Sequence, residues 1–197
     1  MTERQNRQIV LRRRPSGEPR EEDFELVTTA IAEPSEGEML LRTLWLSLDP
    51  YMRGRMNDAK SYAPPVRLGG MMVGGTVSQV IASRIPEYQP GDIVSGGVGW
   101  QDYLLTDGGG PLPLVKLPAG IDIPLSMNVL GLTGITAYFG LLDVGRPQTG
   151  ETVVVSGAAG ATGSVAGQIA KIKGCRVVGI AGGAEKCAWL IEKAGFD

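Results

Sequence analysis

The sequence of 197 residues contains no histidine and two cysteines, Cys175 and Cys187. The first absence removes the Ser-His-Asp and Cys-His nucleophile systems from these residues, together with the commonest zinc ligand. The cysteines stand in no C-x-x-C spacing, and a disulfide staple is not expected in such a composition. No window approaches the roughly 18 apolar residues that a membrane helix requires. The N-terminal stretch MTERQNRQIVLRRRP is basic but lacks an apolar core of about 7 to 15 residues, so it does not read as a secretory signal and a cytoplasmic protein is expected. Charge of one sign is missing too: a net charge of −2 argues against a general nucleic-acid binder.

What remains is an ordinary globular composition, 43% hydrophobic and 20% charged, with length for one large domain or two small ones. The run Arg12, Arg13, Arg14 is followed closely by Glu21, Glu22, Asp23 and Glu25. This alternation reads as a solvated face and is assigned no function.

The texture changes once, near residue 125. Before it, short β-type runs (EMLLRTLWLSL, GGTVSQVIAS, GDIVSGGVGW, QDYLLT, PLVKLP) are punctuated by Pro and Gly, as in a small all-β barrel. After it, SMNVLGLTGITAYFGLLDVG carries apolar residues at helical spacing (Val129, Leu132, Tyr138, Leu141, Leu142) and ends at Gly145 and Pro147. The fold class is therefore α/β overall, with a β domain over 1–125 and an α/β segment over 126–197.

Within that segment, ETVVVSGA is a nearly continuous apolar run, as expected of a strand buried on both faces of a parallel sheet. The turn AAGATG follows, then a helix whose apolar face is marked by Val165, Ile169 and Ile172 and which stops at Gly174. A second strand, CRVVGIAG, completes a βαβ unit, the setting in which a dinucleotide fingerprint is credible. Ala158 occupies the first position of G-x-G-x-x-G, while Gly160 and Gly163 fill the other two. Gly160, Ala161, Thr162 and Gly163 are the candidate pyrophosphate cradle, since free N–H groups and the positive end of a helix dipole hold an anion there. A tight turn without ligand is the alternative. No Gly-Lys-Ser/Thr follows, so a P-loop is not indicated.

The choice of dinucleotide falls at the end of the second strand, where NAD-binding folds place an acid for the ribose 2′-OH. The corresponding residues are IAGGAEK: Ala181, Gly182 and Gly183 leave room, and Lys186 can reach a 2′-phosphate. Glu185 reads as a partner of the next helix's dipole. NADPH is the expected cofactor, with a solvated Lys186 as the alternative.

The β domain with PGDIV, followed by GLTGITAYFGLLDVG and the βαβ unit, resembles the medium-chain dehydrogenase/reductase superfamily. LSLDPYMRGRM and GCRVVGIAGGAEKCAWLIEKAGFD are similar to its zinc-free, NADPH-dependent double-bond reductases, the prostaglandin, alkenal and bacterial curcumin reductase group. The resemblance covers essentially the whole chain. It implies a GroES-like β-barrel on the substrate side, the start of a Rossmann doubly wound parallel sheet, and a homodimer when full length. Where zinc enzymes of the superfamily carry Gly-His-Glu-x-x-Gly-x-Val, this chain has GMMVGGTV, with Met71 and Met72 in place of His and Glu. Thioethers do not replace that imidazole and carboxylate, so no metal is expected.

The implied chemistry is hydride addition to the β-carbon of an α,β-unsaturated ketone or aldehyde. It needs an oriented nicotinamide, donors to the developing enolate oxygen and a proton source. By resemblance, Tyr51 on a proline-restrained loop and Tyr62 on the SYAPPV loop border the substrate pocket. Arg53 and Arg55 are read as scaffold ion-pair partners, with substrate contacts as the alternative. Thr136 and Tyr138 are candidates to face the nicotinamide, with helix packing as the alternative. No catalytic proton donor is assigned within these residues. Two other functions stay open: a quinone oxidoreductase of the same superfamily, and a nucleotide-binding or assembly module without catalysis.

A doubly wound nucleotide domain commonly has six strands, and the sequence supplies two of them. The 197 residues are therefore expected to be an N-terminal part of a protein of about 330 to 350 residues. Alone, they are expected to fold at most in the β domain, to expose apolar sheet surface, to associate and to reduce no enone.

Overall fold

Proline and glycine punctuation breaks the first part of the chain into short strands, and the long-range pairing of those strands builds its core. The computed structural model describes residues 5–109 and 113–197, and its chain divides into two compact units between Gly120 and Ile121. Of the N-terminal basic stretch, residues 1–4 lie outside the described residues.

In the first unit, β1 (Gln5–Leu11) and β2 (Phe24–Ala30) pair as an antiparallel ribbon. β3 (Met39–Leu46), β4 (Thr76–Ser83), β5 (Ile93–Gly96), β6 (Tyr103–Thr106) and β7 (Val115–Lys116) form an antiparallel sheet in the order β6-β3-β4-β5-β7. β1 closes the curve through bridges Gln8–Gln101 and Val10–Met71 and through Ile9 N–H donating to the Trp100 carbonyl at 2.9 Å. One apolar cluster (Met39, Leu41, Val80, Val94, Val98) fills the sheet, and a second (Leu11, Met52, Met56, Val66, Met72) lies under β1.

The charged segment between β1 and β2 is largely exposed, as expected of a solvated face, with buried Asp23 and half-buried Arg14 as the exceptions. Arg13 Nε holds Asp23 at 2.6 Å and its Nη2 holds Glu22 at 3.0 Å, while Arg14 Nη1 donates to the carbonyl of Met56 at 2.7 Å. The folded ribbon brings these groups together, so specific pairs form within a face that otherwise stands in solvent. LDPYMRGRM also differs from the expected loop: Pro50 starts a short helix, α1 (Tyr51–Arg55), which Pro tolerates at its first turn because no N–H is needed there.

In the second unit the single expected helix after residue 125 is two: α2 (Ile123–Met127), capped by Asp122, and α3 (Leu132–Phe139). Val129 falls in the turn between them, where Leu130 N–H donates to the Leu125 carbonyl. The chain widens into a π-helical segment, Gly140–Gly145, and stops at Arg146 in the left-handed conformation, at the expected boundary. β8 (Thr152–Ser156), α4 (Ala161–Ile172), β9 (Arg176–Ile180) and α5 (Ala184–Glu192) follow, with β8 and β9 parallel.

β8 is not buried on both faces. Val153 and Val155 pack with Val177, Ala158, Ala170, Leu190 and Phe196, whereas Val154 is 61% and Ile180 is 57% exposed on the opposite face. Nothing among the described residues of this unit covers that second face. On α4 the buried positions are Val165, Gly167 and Ala170, and Ile172, expected to share that face, is 83% exposed.

Among the described residues no helix is long and apolar enough to cross a membrane.

Candidate functional site

The glycine turn is shaped by backbone needs at three positions. Gly157 takes a φ of +61°, a conformation in which a side chain is strained. Gly160 is the residue before α4; its N–H donates to the Gly157 carbonyl at 2.9 Å, and its own carbonyl accepts from Ser164 N–H. At Gly163 a Cβ would stand 2.4 Å from the Gly157 carbonyl oxygen and 2.9 Å from Ala158 Cα, so only glycine lets α4 approach the end of β8 this closely. Ala158, at the first fingerprint position, is fully buried, and its N–H donates to the Ile180 carbonyl at 3.0 Å.

That last bond joins the two strand ends. Ser156 pairs with Ile180, so the turn after β8 and the turn after β9 leave the same edge of the sheet. Gly160, Ala161, Thr162 and Gly163 thus lie past the same end of the parallel pair as Gly182. No side chain caps α4, which leaves its first N–H groups free for an anion. A Cβ on Gly182 would meet nothing, and the β9 end carries no acid before Glu185 in the first turn of α5. Lys186 is exposed on that turn with no ion pair among the described residues. Thr136 and Tyr138 are exposed on α3, where Gly134 and Ala137 are the buried positions, and Tyr138 stands edge-on to Phe139.

In the first unit, α1 and the loop after it carry the two tyrosines. Tyr51 packs half-buried against the Leu11, Met52, Met56, Val66, Met72 cluster. Burial pushes its phenol up from the ordinary value and the Asp49 carboxylate adds to this, while Arg55 acts in the opposite sense. Tyr62 is 85% exposed on its loop and lies near enough to Tyr51 to raise it slightly further. The Val66 N–H donates to the Arg55 carbonyl at 2.7 Å and so ties the loop of Tyr62 to the helix of Tyr51.

The two arginines of the motif make no ion pairs among the described residues. Arg53 donates to the carbonyls of Pro15 and Gly17 and to Asn57, a scaffold role through neutral acceptors. Arg55 holds no partner there, and its Nε is buried. Met72 is fully buried in the core and Met71 touches the positive-φ Gly99, so both fill space. Sequence reasoning missed Gly157 and the isolation of Arg55. A glycine directly after the apolar run was the available signal for the first; the second depends on long-range geometry.

Residues 7–114 match the family described as the N-terminal domain of oxidoreductase. The chain is 56% identical over 193 residues to the NADPH-dependent curcumin reductase of Escherichia coli, covering 98% of this chain and 55% of that protein. It is 44% identical to prostaglandin reductase 1 of Mus musculus, covering 95% of this chain and 55% of that one. Among solved structures, CurA of Vibrio vulnificus in complex with NADPH aligns with a TM-score of 0.89 at 54% identity, over 97% of this chain and 56% of that one. The chain thus spans about half the length of the curated relatives it matches.

Proposed function

The chain belongs to the medium-chain dehydrogenase/reductase family, in the branch of the curcumin, prostaglandin and alkenal reductases, and from that membership we propose that the intact protein reduces the C=C bond of α,β-unsaturated ketones and aldehydes with NADPH. The single observation that carries the reading is the uncapped, glycine-lined start of α4 joined to an acid-free end of β9. A dinucleotide fits these residues: Gly160, Ala161, Thr162 and Gly163 would hold its pyrophosphate, Gly182 would leave space for the ribose, and Lys186 would meet a 2′-phosphate. When bound, NADPH supplies the hydride that arrives at the β-carbon.

The chain's own residues supply part of what the reaction further needs. Residues 1–125 form the substrate side and 126–197 the start of the nucleotide-binding domain, with Thr136 as a further cofactor contact. Tyr51 and Tyr62 border the substrate pocket. The Tyr51 phenol keeps its proton at neutral pH, as any tyrosine does, and can donate to an oxygen on which charge develops. The reaction needs no metal: Met71 and Met72 offer soft thioethers where carbonyl polarisation by zinc would call for nitrogen or thiolate ligands. The same proposal takes the intact protein to be a cytoplasmic homodimer.

Purified intact protein with NADPH should lose the absorbance of the reduced nicotinamide on addition of a simple enone, and a chelator should leave the rate unchanged. Consumption with a quinone panel but with no enone would overturn the reading in favour of a quinone reductase. Binding of NADPH with no turnover of either would leave a non-catalytic module.

A further inference from the structure

The loop that carries Tyr62 has little of its own to hold it. Residues 57–65 run from the end of α1 to Val66 without regular structure, exposed or half-buried throughout, and among the described residues no hydrogen bond reaches residues 59–65. Such a segment takes its position from its base, where its two ends are brought together. Those ends are Met56 and Val66, both buried in the cluster under β1. One backbone bond joins them, from the Val66 N–H to the Arg55 carbonyl at 2.7 Å.

The second tie comes from Arg14, in the segment that follows β1. Its Nη1 donates to the Met56 carbonyl at 2.7 Å and to the Val66 carbonyl at 3.2 Å, so a single nitrogen spans both ends of the loop. Its Nη2 stands 4.0 Å from the Asp58 carboxylate within the loop. The guanidinium is half-buried, a setting in which charge-assisted bonds count for more than at the surface. Arg53 reaches the other way, from α1 to the carbonyls of Pro15 and Gly17 at 3.1 and 2.9 Å. Residues 14–17 and 53–66 thus exchange two guanidiniums. A tie that only stabilised the β unit could sit anywhere along β1. This one joins the helix that Tyr51 opens to the loop that holds Tyr62.

We propose that Arg14 is a positioning residue of the substrate face: it sets the place of Tyr62 relative to Tyr51, and with it the affinity for a ketone that meets both side chains. The inference rests on the reading of Tyr51 and Tyr62 as borders of the substrate pocket. Lysine at position 14 would keep the charge but has no planar fork to span two carbonyls and face a carboxylate at once.

The test is a double-mutant cycle on the intact protein with NADP+ present, read by calorimetric titration of 4-phenylbutan-2-one, a ketone without a C=C bond to reduce. Arg14→Lys should weaken the ketone about 3- to 30-fold when Tyr62 is present, and less than about 2-fold once Tyr62→Ala has removed the ring whose place it sets. The affinity for NADP+ should not change. A general loosening of the β unit would weaken the ketone by the same factor in both backgrounds, and that result would overturn the proposal. An affinity that Arg14→Lys leaves unchanged, or a wild type that binds no ketone, would overturn it too. If Arg14→Lys fails to fold, Arg53→Lys loosens the same clamp from its other side and takes its place in the cycle, with the same outcomes deciding. Turnover of a simple enone is measured separately. Coupling without turnover refutes the proposed reaction and leaves the clamp standing; turnover with equal losses in both backgrounds does the reverse.

Discussion

At the scale of single residues, the ion pairs of the folded chain make its stability depend on pH in a definite direction. A hydrogen bond from Arg13 holds the Asp23 carboxyl below its ordinary value, with the Arg20 N–H as second cause; the Gln89 N–H and then Lys116 do the same for Asp92. For a group whose folded pKa is depressed, the stabilisation is fully present above the unfolded value, near 4, and is lost as pH falls through the folded one. Urea unfolding should therefore show a steep loss of stability below about pH 4 that is shallower in Asp23→Asn; an unchanged slope would remove Asp23 from the account. Gly163 makes a second prediction. A Cβ there would stand 2.4 Å from the Gly157 carbonyl, so Gly163→Ala should destabilise by about 1 to 3 kcal/mol and weaken NADPH binding, both measurable by unfolding with and without cofactor. Lys186→Ala should weaken NADPH by about 1 to 3 kcal/mol and leave NADH nearly unchanged in a titration; equal losses would refute the assignment of the 2′-phosphate contact. The tight turn at Gly163 and the acid-free end of β9 were legible because both are local features of the sequence. The pairing of Arg13 with Asp23 and the isolation of Arg55 were not, because each is decided by segments that only the folded ribbon and sheet bring together.

At the scale of elements, the βαβ unit was legible from its texture: a β-branched run, a glycine turn, a 3.6-residue period and a second run give their types without ambiguity. The burial of β8 was not. An apolar run shows what a strand can bury, not whether a second layer is present, and here Val154 and Ile180 face outward while Val153 and Val155 face α4 and α5. Helix α1 was missed for a different reason: at five residues it is too short to display a period. The bare face carries its own prediction. The 197-residue chain expressed alone should bind a hydrophobic dye and self-associate in sedimentation experiments, and Val154→Lys with Ile180→Lys should shift it toward monomer. A monomer at high concentration without dye binding would show that the face needs no partner layer.

At the scale of the whole molecule, two kinds of order meet in one chain: a β unit closed by long-range pairing, and an α/β unit built on a two-stranded parallel sheet. In the proposed reading the first carries Tyr51 and Tyr62 on the substrate side, and the second carries the glycine turn, Gly182 and Lys186 for the cofactor. We propose that these residues serve a hydride transfer to carbon in the intact protein. The decisive experiment incubates the intact protein with NADPH carrying deuterium on the transferable C4 position and a simple enone, and locates the label in the product by NMR. The expected product is a saturated ketone with one deuterium at the β-carbon. Deuterium on the carbonyl carbon, giving an allylic alcohol, or a product free of label, would contradict it.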